Sequence, residues 1–221
     1  MEIISREIGL SNVHVIRGEK TVIIDTGCYR NKAGMANELY LMGVDPKEIS
    51  LIIVTHGHFD HCGNLKVLKE LTGAPILAHE KAVKFLETGE FAPYVTRGEW
   101  GQMFFDMVKG SPLDITPGVT PDIVVGDEDF DLKPYGVNGK IVYSPGHVNN
   151  NISVVLDTGE AFCGDTIVIN PFNNFTGTGA LFCDDREALD KTMARLYKEA
   201  NVYYSGHGGP FTKDQIIVDP E

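Results

Sequence analysis

The order of apolar and polar positions divides the chain into two halves with an irregular stretch between them. In the first half, short apolar runs alternate with amphipathic ones. Residues 2–8, 13–17 and 21–24 read as strands separated by glycine-containing turns. Residues 32–43 place Met35, Leu39 and Met42 on one helical face, closed by Gly43. Asp45-Pro46-Lys47-Glu48 supplies an N-cap, a proline at the first helical position and an acid three residues past the cap. The run 51–54 is apolar and β-branched, as in a buried strand, and Leu65, Leu68 and Leu71 then recur at helical spacing up to Thr72-Gly73. A further buried strand is predicted at 75–78 and a further helix around Ala82, Val83 and Leu86. Strands alternating with helices predict α/β units on a mixed sheet. Residues 88–121 break this rhythm. They contain Pro93, Pro112, Pro117 and Pro121, and set Trp100, Met103, Phe104, Met107 and Val108 on one helical face. That face suits packing on the core, an apolar wall over a site, or pairing of two copies through 98–108. From 122 onward the pattern is strand and turn: 122–125, 129–132, 141–143, then a hairpin of 152–156 with 161–163. A helix carrying Leu189, Met193, Leu196 and Ala200 follows a cap at Asp184 or Asp185, and 202–204 is the last strand.

Composition narrows the class. A chain of 221 residues, 43% hydrophobic and 23% charged, supports one sizeable domain, taken as 1–221. The net charge of −12, without any cluster of Lys and Arg, argues against nucleic acid and against anionic membranes as partners. The first residues lack the basic and apolar regions of a secretory signal, and no apolar run reaches the length of a membrane span. Cys28, Cys62, Cys163 and Cys183 show no CxxC spacing and are expected as reduced thiols, so the cytoplasm is the expected location.

The chemistry concentrates in Thr55-His56-Gly57-His58-Phe59-Asp60-His61-Cys62, where four metal-capable side chains stand within six residues at the end of a buried strand. Along extended backbone His56, His58 and Asp60 would project together, while His61 would approach from another side. Two ligand sets in one turn suggest two metal ions. Other polar residues also follow strands at turns: His147 in Ser144-Pro145-Gly146-His147, Asp165 in Gly164-Asp165-Thr166, and His207 in Ser205-Gly206-His207-Gly208-Gly209. Asp25, at the end of 21–24, is either an acceptor that orients a metal-bound histidine or a turn-capping residue. His14 and His79 stand apart from any metal-site spacing and are expected to be structural.

His-x-His-x-Asp-His, Pro-Gly-His, Gly-Asp-Thr and a glycine-flanked histidine, in that order, resemble the signature of the metallo-β-lactamase-fold superfamily, with Ile24-Asp25-Thr26-Gly27 adding to the match. The resemblance implies a four-layer αββα sandwich with a metal site at one edge. It implies a first ion on His56, His58 and His147, a second on Asp60, His61 and His207, and Asp165 between them. Imidazole and carboxylate ligands suit two divalent ions, zinc foremost, with iron or manganese as alternatives. Among branches of the superfamily the site pattern is most similar to glyoxalase II, although no room remains after His207 for that family's C-terminal helical domain. The bridging Asp165 separates it from antibiotic-hydrolysing β-lactamases. Val168 stands where acyl-homoserine lactonases carry a tyrosine. The function so implied is hydrolysis of a small thioester, ester or lactone, with metal-bridging hydroxide as nucleophile and Asp60 orienting it. Two other readings are a mononuclear iron sulfur dioxygenase using His56, His147 and Asp165, and a non-catalytic metal-binding protein on the same fold.

Overall fold

The computed structural model describes residues 1–90, 95–96, 102–103, 106, 116–170, 174–180 and 182–217. Most of the apolar stretch at 98–108 lies outside these residues; of the residues on its predicted face only Met103 is described, and it is exposed.

Two six-stranded sheets dominate the described residues. The first runs in sequence order: β1 (Glu2–Ile8), β2 (Ser11–Arg17), β3 (Thr21–Ile24), β4 (Ile49–Ile53), β5 (Ile76–His79) and β6 (Ile123–Val125). The first three strands pair antiparallel, and β3 to β6 pair in parallel through helical crossovers. Those crossovers contain α1 (Lys32–Leu41), the single turn α2 (Phe59–Cys62), α3 (Leu65–Thr72) and α4 (Val83–Thr88). The second sheet has β7 (Phe130–Asp131), β8 (Gly139–Tyr143), β9 (Ile152–Leu156), β10 (Glu160–Phe162), β13 (Val202–Tyr204) and β14 (Phe211–Thr212), in spatial order 14-13-10-9-8-7. Helix α5 (Arg186–Glu199) covers it, and β11 (Ile167–Asn170) with β12 (Thr176–Gly179) forms a separate hairpin.

Three apolar clusters define the layers. Val15, Ile23, Ile52, Met35, Leu39 and Leu68 join the first sheet to its helices. Ile24, Leu51, Ile53, Val154, Leu156 and Phe162 fill the space between the two sheets. Val142, Cys163, Leu189, Met193, Leu196 and Tyr203 join the second sheet to α5. The expected α/β architecture of four αββα layers is therefore the one observed. Period-2 alternation explains the allocation: Leu51 and Ile53 face the second sheet while Ile52 faces the helices.

Local signals set the ends of elements. Asn31 caps α1 through Gly34 N at 2.9 Å, and of the two candidates for α5 it is Asp185 that caps, accepting from Ala188 N at 3.0 Å. The Asp45-Pro46 signal opens a short helical turn, the 3₁₀ turn Pro46–Glu48, that leads into β4. Cys28, Cys62, Cys163 and Cys183 are all buried. His14 is structural: it is buried, with its ring nitrogens 2.8 Å from Ser5 Oγ and 3.2 Å from Ser205 O. His79 stacks on Tyr143 with ring centroids 4.6 Å apart and contacts Asp127 at 3.1 Å.

Candidate metal centre

The site residues stand just past the C-terminal ends of strands, except Asp60 and His61, which lie in α2 further along the segment after β4. Asp25 follows β3, His56 and His58 follow β4, His147 follows β8, Asp165 follows β10 and His207 follows β13. β3 and β4 are parallel. β8 and β10 both run antiparallel to β9, and β13 runs parallel to β10. Each sheet thus delivers its polar residues to one end, and the two ends meet.

The seven residues singled out as ligands converge in two groups: His56, His58, His147 and Asp165, and Asp60, His61 and His207, with the ligand atoms of each group within 4.8 Å of one another. In the first group His58 Nδ1 is 3.0 Å from both His56 Nε2 and His147 Nε2. In the second, His207 Nε2 lies 3.3 Å from Asp60 Oδ2, and His61 Nε2 lies 3.6 Å from the same oxygen. Asp165 reaches both groups: Oδ2 is 3.2 Å from His207 Nε2 and 3.8 Å from His147 Nε2, and Oδ1 is 3.3 Å from His61 Nε2.

One expectation from the residues alone is corrected. Extended alternation would aim Asp60 with His56 and His58. Instead the chain turns helical at Phe59, with His58 at the N-cap position, and this sends Asp60 and His61 together into the second group. The 3.6-residue period replaces the period of 2 at that point.

The ring nitrogens turned away from the centre have partners that set the tautomers. Thr55 Oγ1 accepts from His56 Nδ1 at 3.0 Å and donates to Asp25 Oδ2 at 2.8 Å. Asp25 Oδ2 also accepts from His61 Nδ1 at 2.8 Å, and Asp25 Oδ1 accepts from Thr55 N at 2.7 Å. His147 Nδ1 donates to Phe182 O at 2.7 Å, and His207 Nδ1 donates to Leu10 O at 2.8 Å. These bonds turn Nε2 of His56, His61, His147 and His207 inward, where each offers a lone pair once its proton is displaced. Asp25 is therefore an orienting acceptor rather than only a turn cap, and its backbone sits in the left-handed region at φ 59°. Thr55, Leu10 and Phe182 were not singled out from the sequence. Thr55 borders the cluster, but Leu10 and Phe182 act through backbone carbonyls, which side-chain identity does not reveal.

Electrostatics distinguish the two groups. Burial, followed by the neighbouring histidines, holds His56 and His58 well below the ordinary imidazole range, so both are neutral. Burial also opposes charge on His61, but Asp165, Asp60 and Asp25 outweigh it and raise the group well above that range. Burial opposes ionisation of Asp60 too, yet His61 and His207 bring it down to about 2.

The donors fit divalent ions. Two buried polar atoms, His61 Nε2 and Asp165 Oδ1, make no hydrogen bond although they lie 3.3 Å apart. His58 Nδ1 carries at most one proton, so it cannot donate fully to both imidazole nitrogens 3.0 Å away, whereas a cation among the three nitrogens would be met by a lone pair from each. The acids beside His61 favour positive charge at that position, as its raised proton affinity shows. Neutral imidazoles with carboxylates form the donor set of zinc, iron and manganese sites.

Two packed sheets flanked by helices, with histidines and aspartates gathered where strands of both sheets end, define a metal-binding αββα protein. Residues 6–207 match the metallo-beta-lactamase superfamily, and the chain belongs to it. It is 27% identical over 200 residues to a probable metallo-hydrolase, MJ0888, of Methanocaldococcus jannaschii, covering 90% of this chain and 87% of that one. It is 24% identical to the probable metallo-hydrolase YflN of Bacillus subtilis, covering 96% and 86%. Among solved structures it is similar to the BLEG-1 B3 metallo-beta-lactamase, with a TM-score of 0.72, 19% identity and coverage of 97% and 95%. It also resembles ST1585 from Sulfolobus tokodaii, with a TM-score of 0.65, 23% identity and coverage of 96% and 82%. The structural likenesses show the shared fold. The relatives named as metallo-hydrolases support a metal-dependent hydrolase. Among the described residues, no helix is long and apolar enough to cross a membrane.

Proposed function

We propose that the chain is a binuclear metal-dependent hydrolase acting on a small thioester, ester or lactone, with a site of the glyoxalase II kind. His56, His58 and His147 would hold one ion, Asp60, His61 and His207 the other, and Asp165 would lie between them. The observation that carries this reading is the reach of Asp165 into both groups, 3.8 Å from His147 Nε2 and 3.2 Å from His207 Nε2. When bound, two divalent ions, zinc foremost, supply Lewis acidity toward a carbonyl and acidify a water to serve as nucleophile.

The chain's own residues supply the rest. The tautomers set by Thr55, Asp25, Phe182 and Leu10 keep the nitrogens aimed before substrate arrives, so no reorganisation is needed during reaction. Asp60 remains an anion at neutral pH and can accept a hydrogen bond from the attacking water, orienting it.

The test begins with elemental analysis of protein purified without added metal or chelator, followed by a screen of thioesters, esters and lactones. About two zinc ions per chain with hydrolysis supports the proposal. One iron per chain with oxygen uptake replaces it with the dioxygenase reading. Asp60→Asn, assayed at a zinc concentration that restores two ions per chain, should lower turnover by roughly 10²- to 10⁴-fold. An unchanged rate would remove Asp60 from the mechanism.

A further inference from the structure

His207 differs from the residues around it. Its side chain is 30% exposed, whereas those of His61, His147, Asp60 and Asp165 are at most 9% exposed. Packing that immobilises the others does not enclose it. Its loop is also intrinsically loose, because Gly206, Gly208 and Gly209 flank it and the last two lie at positive φ.

Three carbonyls of that loop meet one residue. Asn12 N donates to Gly206 O at 2.7 Å, and Asn12 Nδ2 donates to Ser205 O at 3.0 Å and to Gly208 O at 2.9 Å. Both amide protons and the backbone N–H of Asn12 are spent on this loop. Its neighbours in the turn between β1 and β2 complete the clamp. Leu10 O accepts from His207 Nδ1 at 2.8 Å, and Ser11 Oγ donates to Asp60 O. One hairpin turn therefore grips both Asp60 and His207, two residues far apart in sequence that meet in the second group. Other bonds tie the loop elsewhere: Ile169 N to His207 O at 2.9 Å and Ser205 Oγ to Ile167 O at 2.5 Å hold it to β11, Gly206 N to Gly164 O at 2.8 Å holds it to the turn after β10, and His14 Nε2 meets Ser205 O at 3.2 Å. In the first group, His56 and His147 take their orienting bonds from Thr55 and Phe182 instead.

We propose that Asn12 is a positioning residue for the second ion: by holding Ser205, Gly206 and Gly208 to the N-terminal hairpin, it sets the 3.3 Å separation of His207 Nε2 and Asp60 Oδ2 and thereby the retention of metal at that position. The proposal rests on the binuclear reading above. Removal of Asn12 acts on one ion and spares the other.

The experiment loads wild type, Asn12→Ala and Asn12→Asp with zinc and titrates each against a chromophoric chelator, reading bound zinc per chain and the affinity of each site. Wild type should show two ions. Both variants should keep the first at wild-type affinity and bind the second roughly 10- to 100-fold more weakly, the usual cost of removing an outer partner of a metal ligand. Asn12→Asp nearly preserves shape but its side chain cannot donate, so it separates the two lost side-chain hydrogen bonds from lost volume, while the backbone bond to Gly206 O remains in both variants. If Asn12→Ala does not fold, Asn12→Asp reads the same split alone. Equal weakening of both sites, or an unchanged second site, overturns the role of Asn12 while the two-ion reading stands. A single ion in wild type overturns the binuclear reading and the proposal with it.

Discussion

Gly206 shows how tightly single residues are specified around the centre. A Cβ there would collide with Asp165 Oδ1 and stand 2.5 Å from His61 Cε1. Both neighbours are held by other contacts and cannot yield cheaply. Gly206→Ala should therefore displace Asp165 or His61 and reduce bound metal to about one ion or fewer per chain, measured by elemental analysis with circular dichroism as the folding control. His14 makes a different prediction. Burial lowers its pKa from 6.5 to about 4. The native state therefore resists a proton that the unfolded chain accepts below pH 6.5. Stability linked to His14 is fully present above that pH, falls between pH 6.5 and 4, and levels off below. Its magnitude is about 3 kcal/mol as an upper figure. Urea unfolding across that range, with chelator present, should show a shallower pH slope for His14→Asn than for wild type.

The strand ends act as units. β3 and β4 pair in parallel, so Asp25 and Thr55 emerge side by side and form one relay from Asp25 through Thr55 to His56, with a second arm to His61. Thr55→Val keeps the shape and removes the hydroxyl that sets the His56 tautomer. It should weaken metal binding by about 10- to 100-fold in a chelator titration. Elements of this kind were largely legible in sequence. The apolar run 51–54, the leucines of α3 and the helix after Asp185 each declare their period within a few residues. The short hairpin β11–β12, the pair β14 and the turn α2 were not predicted. Their segments are too brief or too rich in glycine and polar residues to show a period, and only pairing with a distant partner fixes them. Gly177, for example, bridges to Ile216.

At the scale of the molecule, the centre joins two sheets whose mutual packing rests on Ile24, Leu51, Ile53, Val154 and Phe162. A divalent ion bound by donors from both sheets should stabilise the folded state and not the unfolded one. Zinc added to metal-free protein should raise the midpoint of thermal unfolding progressively, corresponding to about 2.7 kcal/mol at a free concentration 100 times the dissociation constant. A midpoint that is independent of zinc would mean that the donors do not act across the sheets.

The α/β class, most of the strands and helices, and the identity of the residues that gather in the centre are legible in the order of amino acids alone. Each of these is written in local order: a period of 2 or 3.6, a capping residue, or a polar side chain placed just past an apolar run. Tertiary structure alone decided the rest. It turned Asp60 away from His56 and His58, made Asp25 and Thr55 a shared support, brought Leu10 and Phe182 to histidines far along the chain, and brought Asn12 to the loop that carries His207. The physical reason is that Leu10 and Phe182 act through backbone carbonyls, which every residue carries and no side-chain pattern marks, while Asp25, Thr55 and Asn12 reach partners that only the packing of distant strand ends brings near.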